Sequence, residues 1–154
     1  MAVLDVPIIV VVCGEGGSGG ALGIAIGDRV LIQQFAIYSV IPPEGCSAIL
    51  WRDSSRKVEA AEALKLTPPD LLRAGIVDEI VPEPTGGAHQ DPDRAGKILD
   101  AAISRSLAEV KRLSSQERLD QRYAKFRSMG RLGIDFVDGG ALPSDAATGS
   151  TVPI

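Results

Sequence analysis

The chain has 154 residues, enough for one domain with a core of its own. Hydrophobic residues make up 45% of it and mean hydropathy is +0.14, which excludes a disordered composition. Aromatics are only 4%, so Ile, Val, Leu and Ala must build the core, as in an α/β protein with buried strands. The net charge of −4, with no long basic stretch, argues against nucleic acid as the main partner.

The opening MAVLDVPIIVVVC has a short apolar run, no basic flank, and Asp5 within it. It reads as neither a signal peptide nor a membrane span, and a cytoplasmic protein with no membrane role is expected. Residues 7–13 form a β-branched run that predicts a fully buried strand. A buried parallel strand needs neighbours on both sides, so an earlier part of the sheet is expected beyond it. The glycine-rich stretch GEGGSGGALGIAIGD, 14–28, follows, and 19–27 predict a short buried helix. Strands are predicted at 29–33 and 36–41.

After Pro42 and Pro43, Glu44 opens a helical run to Asp53, with its acid at the positive helix end. A second helix is predicted at 59–66. Thr67-Pro68-Pro69-Asp70 reads as a capping box ahead of a short helix ended by Gly75. A strand is expected at 76–81 and a loop at 83–92. Asp91-Pro92 starts a long amphipathic helix with apolar Ala95, Ile98, Leu99, Ala102, Val110 and Leu113. Ser114 with Glu117 caps a last helix ending at Gly130. The chain beyond it is read as a disordered tail over 131–154, on the small, Gly- and Pro-bearing composition that begins at about Gly139. Cys13 and Cys46 are expected to be buried free thiols, and no Cys/His cluster marks a metal site.

The glycine stretch fits three motifs. Gly14-x-Gly16-x-x-Gly19 spells the dinucleotide fingerprint, but no acid stands at the end of the next strand to hold a ribose. Gly16-x-Ser18-x-Gly20 spells a nucleophile elbow. It would make Ser18 the nucleophile of a serine hydrolase, with His89, the one histidine of the chain, as base and Asp91 nearby. Ser18 is otherwise a small polar residue at or near a helix N-cap. The third reading needs only backbone. Bare N–H groups at a helix start, with no Cβ in the way, can hold an oxygen anion. On the residues alone, this reading of Gly19 and Gly20 stands level with one in which they only permit close helix–sheet contact.

Several long segments in the same order resemble one family. They are GEGGSGGALGIAIGD, YSVIPPEGCSAILWRD, EAAEALKLTPPDLL, GIVDEIVPEPTGGAHQDP and RLSSQERLDQRYAKFRSMG. From about Leu4 to Gly130 the chain is similar to the alpha subunit of the carboxyltransferase of bacterial and plastid acetyl-CoA carboxylase. The resemblance implies a crotonase-like (ClpP-like) fold, a ββα superhelix, with 1–130 as the C-terminal part of that domain. It implies transfer of a carboxyl group from carboxybiotin, carried on a separate biotin carboxyl carrier protein, to acetyl-CoA. The product is malonyl-CoA for fatty acid biosynthesis, in an enzyme that as a whole binds ATP. The implied partner is a zinc-bearing beta subunit in an alpha2beta2 assembly, with no metal on this chain.

The family's GSGG turn matches Gly17, Ser18, Gly19 and Gly20. The resemblance therefore implies biotin binding at these four residues and an oxyanion hole at the backbone N–H groups of Gly19 and Gly20. It requires no side-chain base. His89 is read as a loop residue, Glu44 as a helix-start residue and Tyr38 as packing. Arg118, Arg122, Lys125 and Arg127 are read as a solvated face, with contact to a CoA phosphate or a partner as the other possibility. Two motifs depart from the family: Pro42-Pro43-Glu44-Gly45 replaces Ser-Pro-Glu-Gly, and Gln90 replaces the arginine after Gly86-Gly87-Ala88-His89. MAVLDVPII lies over an internal stretch of the family sequence, so the chain is read as the C-terminal half of the subunit, holding half a site. The alternatives are a non-catalytic assembly fragment of the same complex, or the serine hydrolase.

Overall fold

A computed structural model describes residues 1–129; the tail expected at 131–154 lies outside them. The chain begins with two strands and a helix in succession: β1 (Ile9–Val12), β2 (Glu15–Gly17) and α1 (Ser18–Ile24). The pattern then repeats as β3 (Arg29–Gln33), β4 (Ile37–Ser39) and α2 (Pro43–Trp51). First strands pair with first strands and second with second. β1 lies parallel to β3 with Ile9 opposite Arg29, and β2 lies parallel to β4 with Gly16 opposite Tyr38. Two stacked ββα units are therefore seen, the repeat that defines the expected superhelix. A 3-10 turn (Ser54–Arg56), α3 (Lys57–Leu64) and α4 (Pro68–Arg73) lead to β5 (Glu79–Val81). It extends the first sheet to the order β1-β3-β5, with Leu31 opposite Glu79. Helices α5 (Pro92–Lys111) and α6 (Ser115–Ser128) close the described chain.

The alternation of the β-branched strands sorts the core into two faces. Val12, Val30 and Ile32 pack on one side with Ala36, Leu71 and Val77. Leu31 and Val81 pack on the other, with Ile9 and Val11, under Ala102, Ile98, Leu99 and Ile103 of α5. The stripe predicted for α5 is thus the one that covers the sheet. Asp91 caps this helix, its Oδ1 accepting from the Arg94 N–H at 3.0 Å. Ser114 and Glu117 form the predicted capping box of α6.

Four expectations need correction. β1 is half-buried, with only Val12 fully inside, because it stands at the edge of its sheet and pairs only with β3 among the described residues. α1 is not buried: none of its seven residues is, and Leu22 and Ile24 are 74% and 66% exposed. Both faces of the larger sheet are already covered by other elements, and α1 follows the two-stranded β2–β4 sheet instead. Thr67 does not complete a capping box: its hydroxyl donates to the Asp70 side chain, Oδ2 at 2.8 Å, and accepts no bond from the helix backbone. Cys46 is buried and Cys13 is exposed; both are free. Burial, and then the charge of Glu83, still push the Cys13 thiol above its ordinary value.

Candidate functional site

The glycine stretch is where a strand runs into a helix without a loop. Gly17 is the extended N-cap of α1 (φ −145°, ψ 162°) and supplies no side-chain acceptor. Ser18 follows with φ +58°, in the left-handed region that a non-glycine residue rarely occupies. Arg52 and Lys65 share that conformation, but there it terminates α2 and α3. At Ser18 it turns the chain sharply out of β2 and into the first turn of α1. Ser18 thus lies beside the N-cap without acting as a side-chain cap.

The next two residues carry bare backbone donors. At the second and third positions of a helix, the Gly19 and Gly20 N–H groups have no intrahelical acceptor. Among the described residues, neither donates to a backbone carbonyl outside the helix. A Cβ built on either would meet no described atom within 4 Å. Close helix–sheet contact therefore does not explain these two glycines within the described chain. It does explain Gly16, where a Cβ would fall 2.7 Å from Tyr38 Cδ2 and 3.0 Å from Val12 Cγ1. The motif contains two kinds of glycine: one filled by a neighbour's ring, and two facing open space.

Tyr38 joins the two kinds. Its ring lies across Gly16, its register partner, and its hydroxyl donates to the Ala21 carbonyl of α1 at 2.6 Å. Burial pushes its phenol above the ordinary value. The sequence reading of Tyr38 as packing missed this bond, because an aromatic in a short strand gives no signal of what its hydroxyl reaches.

A second feature sits at the carboxyl ends of the larger sheet, where β1, β3 and β5 all finish on one side. An open hollow there is lined by Gly14, Gln33, Phe35, Glu83 and the Gly86–His89 loop. Gly86 and Gly87 adopt φ +86° and +99°. The Glu83 carboxylate fixes the hollow by accepting from the Phe35 N–H at 2.9 Å and the Ala88 N–H at 2.8 Å. The His89 ring lies over Gly87, where a Cβ would come within 3.1 Å of its Cε1 and Nδ1. Ser18 does not line this hollow, and Asp91 is engaged as the α5 cap. The hydrolase triad is therefore not brought together. The dinucleotide reading fares no better: β3 ends in Gln33, with no acid to hold a ribose, and Gly16 of the fingerprint belongs to the separate β2–β4 sheet. Glu44 stands in the first turn of α2, as read, where it faces Lys57 at 3.6 Å.

The basic residues of α6 overturn their expectation. Arg122 is only 2% exposed. Its Nε and Nη2 meet Asp28 Oδ1 and Oδ2, each at 2.9 Å, and the remaining donors bind the carbonyls of Met1, Ala2, Leu4 and Val6. Arg118 is also buried, donating to the Leu113 carbonyl and Asp5. Lys125 pairs with Asp78. Of the four, Arg127 alone is exposed. The sequence did hold a signal: Asp28 and Asp78 each directly precede a strand run, DRVLI and DEIV, and such acids at buried strand starts need cations.

Among the described residues, no group of three His, Cys, Asp or Glu side chains is placed to hold a metal ion, and no helix is long and apolar enough to cross a membrane. The fold and the junction define an α/β unit of stacked ββα repeats that presents unpaired main-chain amides beside a strand end. Residues 1–130 match the family model described as "Acetyl co-enzyme A carboxylase carboxyltransferase-like", and the chain belongs to that family. It is 61% identical over 126 residues to the acetyl-coenzyme A carboxylase carboxyl transferase subunit alpha of Thermosynechococcus vestitus, covering 82% of this chain and 39% of that protein. The protein of the same name from Geobacter metallireducens is 58% identical over 131 residues, 85% of this chain and 41% of the relative. The chain thus spans about two fifths of the length of the curated relatives it matches. An enoyl-CoA hydratase from Thermoplasma volcanium GSS1 aligns with a TM-score of 0.38 at 20% identity, over 82% of this chain and 56% of that one, too loose a likeness to carry an argument.

Proposed function

We propose that the chain forms the biotin-facing part of a carboxyltransferase that moves a carboxyl group from carboxybiotin on a carrier protein to acetyl-CoA, giving malonyl-CoA for fatty acid synthesis in the cytoplasm. Family membership supports the reaction class. The observation that carries the site is the pair of bare amides at Gly19 and Gly20, with open space where side chains would stand. That space fits a ligand oxygen, and Gly17 and Ser18 complete the turn that would hold a biotin ring. When bound, carboxybiotin supplies the carboxyl group and a ureido oxygen that gains negative charge as that group leaves.

The chain's part is electrostatic. The Gly19 and Gly20 N–H groups donate to that oxygen, and each such donor lowers the barrier by roughly 3 kcal/mol. The left-handed Ser18 and the absence of a loop fix their direction before the ligand arrives, so little reorganisation is needed during the reaction. No side chain of the junction moves a proton, which agrees with the separation of Ser18 from the His89 hollow: the methyl proton that acetyl-CoA gives up would pass to the ureido nitrogen that loses the carboxyl group. The transfer consumes no ATP, so nucleotide binding belongs on this reading to another component. The partners are a carboxyltransferase beta subunit in an alpha2beta2 assembly and the biotin carrier, with neither nucleic acid nor membrane involved.

The test is malonyl-CoA formation by the chain reconstituted with a beta subunit and carboxylated carrier. Activity in the assembly, lost on Gly20→Val and absent from the chain alone, is the expected result. An assembly that forms but gives no product at any chain concentration would leave the chain a non-catalytic piece. Labelling of Ser18 by a fluorophosphonate would contradict the amide mechanism.

A further inference from the structure

α1 is poorly anchored for an element that has to aim two amides. It has seven residues, three of them glycine, and none is buried. Two turns of such sequence do not hold a helix by themselves. Its direction must come from what it touches. The chain holds it at both ends, through Gly17 at the end of β2 and through the buried Ala25 after Ile24. Across its first turn, the side-chain bond that holds it is that of the Tyr38 hydroxyl, which donates to the Ala21 carbonyl one residue after Gly20.

The ring that carries this hydroxyl cannot shift easily. Tyr38 is paired in register with Gly16, and its Cδ2 and Cε2 occupy the space a Gly16 side chain would need. The Tyr38 N–H donates to the Leu66 carbonyl at 3.1 Å, which ties β4 to the segment behind it. The phenol is therefore a rigid strut between the two-stranded sheet and the first turn of the helix.

We propose that Tyr38 is a positioning residue that sets the aim of the Gly19 and Gly20 amides through its bond to Ala21, an assignment that rests on the reading of this junction given above. Gly16 belongs to the same device, since any side chain there would displace the ring. Tyr38 does not touch the ligand. It limits the directions α1 can sample.

The experiment compares Tyr38→Phe and Gly20→Val with the parent chain by two readouts. Amide hydrogen exchange is followed on the full chain, and kcat and KM for acetyl-CoA are followed in the reconstituted assembly. Tyr38→Phe keeps the ring over Gly16 and removes only the hydroxyl. Exchange at 22–24, whose amides bond within the helix, is expected to quicken about fivefold, the weight of one net hydrogen bond, while the β1–β3–β5 amides keep their protection. The kcat is expected to fall by a similar or larger factor, with KM for acetyl-CoA within about twofold. Unchanged exchange in α1 would overturn the proposal, as would faster exchange across the whole chain with kcat intact. If Gly20→Val abolishes activity and Tyr38→Phe leaves kcat at the parent value, the strut alone is refuted. If Gly20→Val is fully active, the reading of the junction fails and the assignment of Tyr38 falls with it.

Discussion

The two ends of the β1–β3–β5 sheet are built in opposite ways. At the amino end the strand-start aspartates are both engaged. Asp28 Oδ2 accepts from the Ile8 N–H at 2.7 Å, and Asp78 Oδ2 accepts from the Val30 N–H at 2.6 Å. Each aspartate precedes one strand and caps its neighbour. Arg122 and Lys125, three residues apart on α6, neutralise the two. At the carboxyl end the chain passes from β1 into glycine, left-handed serine and unpaired amides, with an open hollow beside β3 and β5. At the amino end the aspartates are bound by the chain's own cations, which serves stability, and a hollow beside them is lined by Asp28, Asp78, Arg118, Arg122 and Lys125. The carboxyl side leaves donors and space unused, which is what a binding site in an α/β protein needs.

The contrast can be broken at either end. The largest effect on stability is expected from Arg122→Met, which strands the Asp28 carboxylate in a site where it is 5% exposed. The loss should be about 3–5 kcal/mol by denaturant unfolding. Arg122→Lys should recover little, since an ammonium cannot span both carboxylate oxygens and the N-terminal carbonyls. The largest effect on function is expected at the other end: Gly20→Val should lower kcat of the assembly by about 100-fold with little change in melting temperature.

The two classes of glycine sharpen the comparison at smaller scale. Gly16→Ala forces a methyl against the Tyr38 ring, and a destabilisation of about 1–3 kcal/mol is expected. Gly19→Ala meets only open space, and the better helix former should leave stability unchanged or raise it by up to about 1 kcal/mol. A melting curve for each variant decides the pair, and equal losses would erase the distinction.

The smallest effect concerns acid. The Ser114 hydroxyl, and then its backbone N–H, hold the Glu117 carboxyl below its ordinary value of 4.5. The contribution of this capping box is therefore complete above that value and is lost as pH falls through the lowered one. Glu117→Gln should remove that step from the acid limb of a stability–pH profile. A profile unchanged by the substitution would deny the box its role.

Much of the larger sheet was legible because its residues state their own pattern. The run Ile8 to Val12, the continuous apolar centre of β3 and the i, i+3, i+4 stripe of α5 each specify a buried surface. β2 was not legible, since Glu-Gly-Gly has no strand propensity and is held by pairing with β4 alone. The exposure of α1 was equally hidden: Gly, Ala and Ile are apolar whether they face a core or lie open. Arg118, Arg122 and Lys125 were misread because helical spacing places charges on a face without saying which element that face meets. The glycine stretch itself was half legible. The motif drew attention to it, but only coordinates could separate the packing glycine, Gly16, from Gly19 and Gly20.

The most direct measurement is a structure of the assembly with biotin bound. Main-chain donation requires the ureido oxygen to lie about 2.7–3.1 Å from the nitrogens of both Gly19 and Gly20. A well-ordered biotin with that oxygen on a side chain, or seated away from the β2–α1 junction, would contradict it.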